Sequence, residues 1–129
     1  MILDSSAVLA VLYAESDAER FARAISDASV CRMSVATFVE VSIVVESQTG
    51  DIGSRQWDLF FRRAGITLEP VSEEQAYAAR QAWSDYGRQR HSANLNFGDC
   101  FSYALAKTLD EPLLFKGRDF SLTDIPSAL

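Results

Sequence analysis

Four short apolar runs punctuate the chain: MIL at 1–3, SVCRM at 29–33, ITLEPV at 66–71 and EPLLFKG at 111–117. Each is too short for a helix, and the stretches between them are long enough to hold one or two helices. Strands that alternate with helices require crossover connections, which makes the sheet largely parallel and covers both of its faces. The crossovers should be right-handed. The reading is therefore an α/β, three-layer arrangement with a mainly parallel central sheet flanked by helices. Ligands in such sheets gather beyond the carboxyl ends of the strands. Asp4 ends the first run and Asp119 lies just past the last, so both should stand on that edge.

The intervening segments carry helical signals. SSAVLAVLYAE (5–15) reads as a first helix. SDAE at 16–19 has the capping-box pattern, followed by Ala18, Phe21, Ala22 and Ile25 at helical spacing. SVATFVEVSIVVESQTG (34–50) is apolar nearly all round; its β-branched content suits a strand, but its length favours a helix, stopped by Gly50. SRQWDLFFRRAG (54–65) predicts a short helix capped by Ser54 and ended by Gly65. Ser72 and Gln75 repeat the capping-box pattern at the head of SEEQAYAARQAWSDYG (72–87), with Gly87 as the stop. The loop RQRHSANLN leads to NFGDCFSYALAK, whose start Asn96 can cap. RDFSLTDIPSAL reads as a turn with a short edge strand.

With 129 residues and 48% of them apolar, the chain is expected to form one domain, residues 1–129, with a substantial core. The start meets Asp4 without a basic leader, and the longest apolar run, VATFVEVSIVV, carries Glu40; an export signal and a membrane span are not expected. Cys31 and Cys100 fit no metal-type spacing and read as small buried hydrophobes in a reduced, cytoplasmic protein. Eighteen acids against twelve bases give a net charge of −6, which argues against a broad basic face for nucleic acid. The charge is uneven: residues 1–51 hold eight acids and three bases, residues 80–118 four acids and six bases.

Four acids stand in settings that single them out. Asp4 precedes a helix and could simply cap it. Glu40 sits among Phe38, Val39, Val41 and Ile43, where a carboxylate needs a partner, an arginine being the plain structural choice. Asp99 lies near a helix start, where the dipole favours negative charge. Asp119 follows a strand in a segment of turn character. Carboxylates gathered at one edge repel each other unless a cation neutralises them. Oxygen ligands of this kind suit Mg²⁺ or Mn²⁺, and such ions can activate a water and stabilise a leaving oxygen in phosphodiester cleavage.

The segments MILDSSAVLAVLYAE, SVATFVEVSIVVE, LNFGDCFSYALAK and PLLFKGRDFSLTDI, in this order and spacing, resemble the PIN-domain ribonucleases, in particular the VapC-type toxins of bacterial toxin–antitoxin pairs. The likeness runs the length of the chain. It implies a metal centre of Asp4, Glu40 and Asp99, with Asp119 as the fourth acid and Asp124 as its nearby alternative. Ser6 matches a hydroxyl position that contacts a phosphate or water at the metal, though it also suits a helix start. Asn96 matches a polar position ahead of the third acid, though a plain N-cap is the stronger reading. The resemblance further implies a Mg²⁺- or Mn²⁺-dependent endoribonuclease acting on RNA, commonly transfer or ribosomal RNA. It would form a homodimer and be silenced by a VapB-like antitoxin. Arg88, Arg90 and Arg118 are candidate phosphate contacts, or solvated loop charges. His91 lacks a nucleophile partner and is not expected to act as a base. Trp57, Phe60, Phe61, Tyr77 and Trp83 read as core or interface residues. The alternatives are a degenerate PIN scaffold that only binds, and an aspartate-based phosphotransfer domain, for which DSSAVL lacks the further acid after Asp4.

Overall fold

The computed structural model describes residues 1–129. Its elements run β1 (Ile2–Leu3), α1 (Ser5–Leu12), α2 (Ala18–Asp27), β2 (Arg32–Ser34), α3 (Val35–Arg63), β3 (Thr67–Glu69), α4 (Glu73–Tyr86), α5 (Phe97–Leu109) and β4 (Leu113–Leu114). A 3₁₀ turn at Phe120–Leu122 follows. The strands form one sheet in the order β3-β2-β1-β4, every pairing parallel. The chain steps outward from β1 to β3 and then crosses to the far side of β1 for β4. The order therefore reverses between β1 and β4, the position where open parallel sheets form their crevice.

Strand periodicity divides the core between the two faces. Ile2 and Leu113 pack with Ala82, Leu95, Tyr103 and Leu105 under α4 and α5. Their neighbours Leu3 and Leu114 pack with Val8, Phe21, Met33, Val41 and Trp57 under α1, α2 and α3. The expected three layers are present, with a sheet that is wholly parallel. Cys31 and Cys100 are free and buried, one in each half of the core. No helix is long and apolar enough to cross a membrane.

Local signals hold in several places and fail in two. Ser72 caps α4 by accepting the Gln75 amide at 3.1 Å. Asn96 and Asp99 form a complete capping box at the start of α5. The SDAE pattern, by contrast, forms no cap: α2 begins at Ala18 behind Asp17, whose side chain makes no capping bond. Asp17 instead meets Lys116 Nζ at 3.1 Å, so a tertiary ion pair replaces the local motif.

Gly50 does not simply end a helix. Helical hydrogen bonding resumes at once behind it, so Ser54 lies inside the second segment of α3 and not at a cap. Gly50 adopts φ 61° and ψ −151°, a conformation open essentially to glycine alone. Residues 38 and 57 would stand about 28 Å apart along a straight helix. Their rings instead lie 5.7 Å apart, with Phe61 5.2 Å from Phe38. The break thus folds the second segment back on the first, and Trp57 Nε1 donates to Ser42 Oγ at 3.0 Å. Trp57, Phe60 and Phe61 are packing residues, as expected. Tyr77, on α4, is exposed.

Gly50→Ala should force an L-residue into that conformation at a cost of about 1–3 kcal/mol. A fall of roughly 3–10 °C in melting temperature, read together with Trp57 fluorescence, is the expected result. An unchanged transition would mean that the break does not hold the two segments together.

Candidate active site

β1 delivers Asp4 to the carboxyl edge, where the residue is only 2% exposed. Oδ2 accepts from the Ser6 amide at 3.0 Å and from Ser6 Oγ at 2.6 Å; Oδ1 accepts from Ser102 Oγ at 2.7 Å. Asp4 is therefore the N-cap of α1 and a buried tertiary acceptor at once. Ser102 gives its proton to Asp4, so Thr37 Oγ1, 3.3 Å away, must donate to Ser102. Ser6 Oγ also accepts the Lys116 amide at 3.0 Å, which joins α1 to the segment leaving β4. A carboxylate offers about four acceptor sites; three are filled by neutral donors and none by a cation.

Asp99 enters from the first turn of α5. Its Oδ2 accepts the Asn96 amide at 2.9 Å, and Asn96 Oδ1 accepts the Asp99 amide at 2.8 Å. Burial raises the Asp99 carboxyl to about 7; the Asn96 bond opposes this, and the charges of Asp4, Glu40 and Asp119 reinforce it. Glu40, on α3, is also raised, first by burial and then by Asp4, against the effect of the Ser5 side chain. Asp119 is exposed at the head of the 3₁₀ turn and makes no capping bond. The four acids thus share one electrostatic neighbourhood.

The cations that form ion pairs meet other acids. Arg32 bonds Glu69 at 2.7 Å and Glu111 at 3.0 Å, and the Met1 amine bonds Glu111 at 2.6 Å. Lys116 pairs with Glu15 and Asp17. No lysine or arginine pairs with Asp4, Glu40, Asp99 or Asp119, so Glu40 lacks the arginine that its apolar setting suggested. Asp124 belongs to another arrangement: it accepts from Tyr103 Oη at 2.7 Å and Lys107 Nζ at 2.6 Å, and the lysine lowers its carboxyl below the usual range.

The donor set is hard oxygen without a counter-charge, which fits Mg²⁺ or Mn²⁺. No three of the acidic, histidine or cysteine side chains gather closely enough to hold an ion by themselves. Magnesium commonly binds through one or two carboxylates and keeps several waters, so the spread suits an ion held in part through water.

The remaining candidates divide clearly. Arg88, Arg90 and Arg118 are exposed and unpaired. His91 Nδ1 accepts the Ala93 amide at 3.0 Å, and the ring meets Tyr86 edge to face, a structural role. Sequence reasoning missed Ser102, Thr37 and Ser5. The signal for Ser102 is its place three residues after Asp99, on the same side of α5; nothing local marks Thr37.

A group of unpaired acids at the carboxyl edge of a parallel sheet, where the strand order reverses, defines a class, and comparison with known proteins gives its family. Residues 1–126 match the PIN domain. The chain is 50% identical over 125 residues to a "Ribonuclease VapC" of Mycolicibacterium smegmatis, covering 97% of each chain. It is 49% identical to "Ribonuclease VapC30" of Mycobacterium tuberculosis, over 97% of this chain and 95% of that one. Among solved structures, VapC20 of M. tuberculosis, described as a sarcin–ricin loop cleaving toxin, superposes with a TM-score of 0.77 at 16% identity, covering 96% of this chain and 95% of that one. A toxin–antitoxin complex from Klebsiella pneumoniae gives 0.70 at 13%, covering 93% and 89%. This chain belongs to the PIN-domain family, as a VapC-type member.

Because Asp99 titrates near 7 when folded and near 3.8 otherwise, the folded protein binds more protons between those values. Stability should therefore fall as pH rises from about 4 through 7. In urea denaturation with EDTA, the wild type should lose about 2 kcal/mol more than Asp99→Asn between pH 5 and pH 8, allowing for partial exposure. Equal losses in both proteins would contradict the raised carboxyl.

Proposed function

We propose that this protein is a Mg²⁺- or Mn²⁺-dependent endoribonuclease, the toxin of a toxin–antitoxin pair, acting in the cytoplasm on RNA. The observation that carries the reading is the unneutralised group of Asp4, Glu40, Asp99 and Asp119 at the sheet's carboxyl edge, in a chain about half identical to VapC ribonucleases. Asp4, Glu40 and Asp99 would hold the ion, with Asp119 as the fourth acid. Asp124 is the weaker candidate because Lys107 already neutralises it. A divalent ion bound there supplies activation of the attacking water and stabilisation of the leaving oxygen. Ser6 and Ser102 hold Asp4 in one orientation. Asn96 does the same for Asp99. Arg88, Arg90 and Arg118, exposed and unpaired, are available to RNA phosphates.

Asp4 as a phosphotransfer nucleophile is disfavoured, since it is almost wholly buried and three donors already restrain it. The partners fit the same reading. A VapB-like antitoxin would present a basic segment to the acidic edge. A homodimer would cover apolar surface near it, where Val39, Ile43 and Phe97 are 52%, 60% and 78% exposed.

Incubation of total RNA with the purified protein should yield discrete fragments with Mg²⁺ or Mn²⁺ and none with EDTA. Asp4→Asn, Glu40→Gln and Asp99→Asn should each lower the rate by more than the roughly 10–100-fold typical of outer partners of a metal site. Asp119→Asn should lower it substantially, while Asp124→Asn should leave it near wild type. Cleavage that survives EDTA or Asp99→Asn would overturn the mechanism, and RNA binding without cleavage in Mn²⁺ would favour a degenerate binding scaffold.

A further inference from the structure

Gly98 lies between Phe97 and Asp99 in the first turn of α5, at an ordinary helical position where no positive φ demands glycine. A helix interior normally favours alanine there. The reason for glycine is steric and comes from another element. A methyl group on Gly98 would stand 1.8 Å from Glu40 Oε2 and 2.8 Å from its carboxyl carbon. The Glu40 carboxylate therefore rests directly on the backbone of this turn, in space that any side chain at position 98 would fill.

This seat places the Glu40 carboxylate at the start of a helix. The first-turn amides of a helix include donors without intrahelical partners, and the helix dipole favours negative charge there. No lysine or arginine pairs with Glu40. Val39, Ile43, Val44, Phe97 and Phe101 line the surrounding groove of about 290 Å³ together with Glu40 and Gly98, so an apolar wall backs the carboxylate. The same turn carries Asp99, and the approach through Gly98 brings the acids of α3 and α5 together.

We propose that Gly98 is a positioning residue for the metal centre: its missing side chain lets the Glu40 carboxylate seat on the first turn of α5, beside Asp99. This rests on the reading of the acids as metal ligands. The obstacle to a methyl group is the end of a flexible side chain, so Gly98→Ala should fold while Glu40 swings out of its seat.

The test combines Gly98→Ala, Glu40→Ala and the double variant, measured by Mn²⁺ titration, melting in EDTA, RNA cleavage and crystal structures of the metal-free wild type and Gly98→Ala. Gly98→Ala should melt within a few degrees of wild type, bind Mn²⁺ about 10–100-fold more weakly and show a displaced Glu40 carboxylate. In the Glu40→Ala background, which removes both ligand and obstacle, Gly98→Ala should change Mn²⁺ affinity less than about twofold, as a pair acting through one contact requires. Wild-type affinity in Gly98→Ala, an equal loss in both backgrounds, or an unmoved carboxylate would each overturn the proposal. If Gly98→Ala does not fold, the double variant must fold, or the obstacle is not Glu40. A wild type that binds no Mn²⁺ would defeat the reading of the site, and the crystal structures would still decide whether Gly98 seats Glu40.

Discussion

The burial of Asp4 is the constraint around which the rest is arranged. A carboxylate removed from water must find donors, and here they come from two separate helices: Ser6 of α1 and Ser102 of α5. Thr37 of α3 extends the chain of hydroxyls, and the amide of Lys116 reaches Ser6 from the segment after β4. Four elements thus meet around one side chain at the end of the central strand pair. A satisfied buried network of this kind favours one arrangement of its elements over others. The acid is oriented without being neutralised, because every donor to it is uncharged.

Charge is distributed accordingly between the two edges of the sheet. Met1, Arg32 and Glu111, near the starts of β1, β2 and β4, form one connected group that reaches Glu69 at the end of β3. Beyond the carboxyl ends, Asp4, Glu40, Asp99 and Asp119 have no such partners. Lysines that could reach toward this side are held by Glu15 and Asp17, or by Asp124. The chain carries a local electrostatic cost at this edge, a departure from internal consistency of the kind found at functional sites.

Much of this was legible in the sequence. Strand–helix alternation is a short-range pattern, and the α/β architecture, the caps at Ser72 and Asn96 and the four acids could be read from it. The failures share one cause. SDAE has a local capping pattern, but Lys116, 99 residues away, takes Asp17. Gly50 has the local character of a helix stop, yet contact between Trp57 and Phe38 turns it into a reversal. Asp119 and Asp124 are indistinguishable by residue type and spacing, and are separated only by Tyr103 and Lys107. Gly98 shows no local sign of its role, because what it accommodates belongs to another helix.

The sequence by itself determined the kinds of elements, their order and the edge on which Asp4 and Asp119 emerge, since periodicity, chain direction and parallel pairing follow from neighbouring residues. Only the tertiary structure decided which hydroxyls hold Asp4, which acids lack cations and why position 98 carries no side chain. Those outcomes depend on distances between residues far apart in the chain, and a hydrogen bond or a steric overlap changes over about an ångström, far below what spacing along a sequence can resolve.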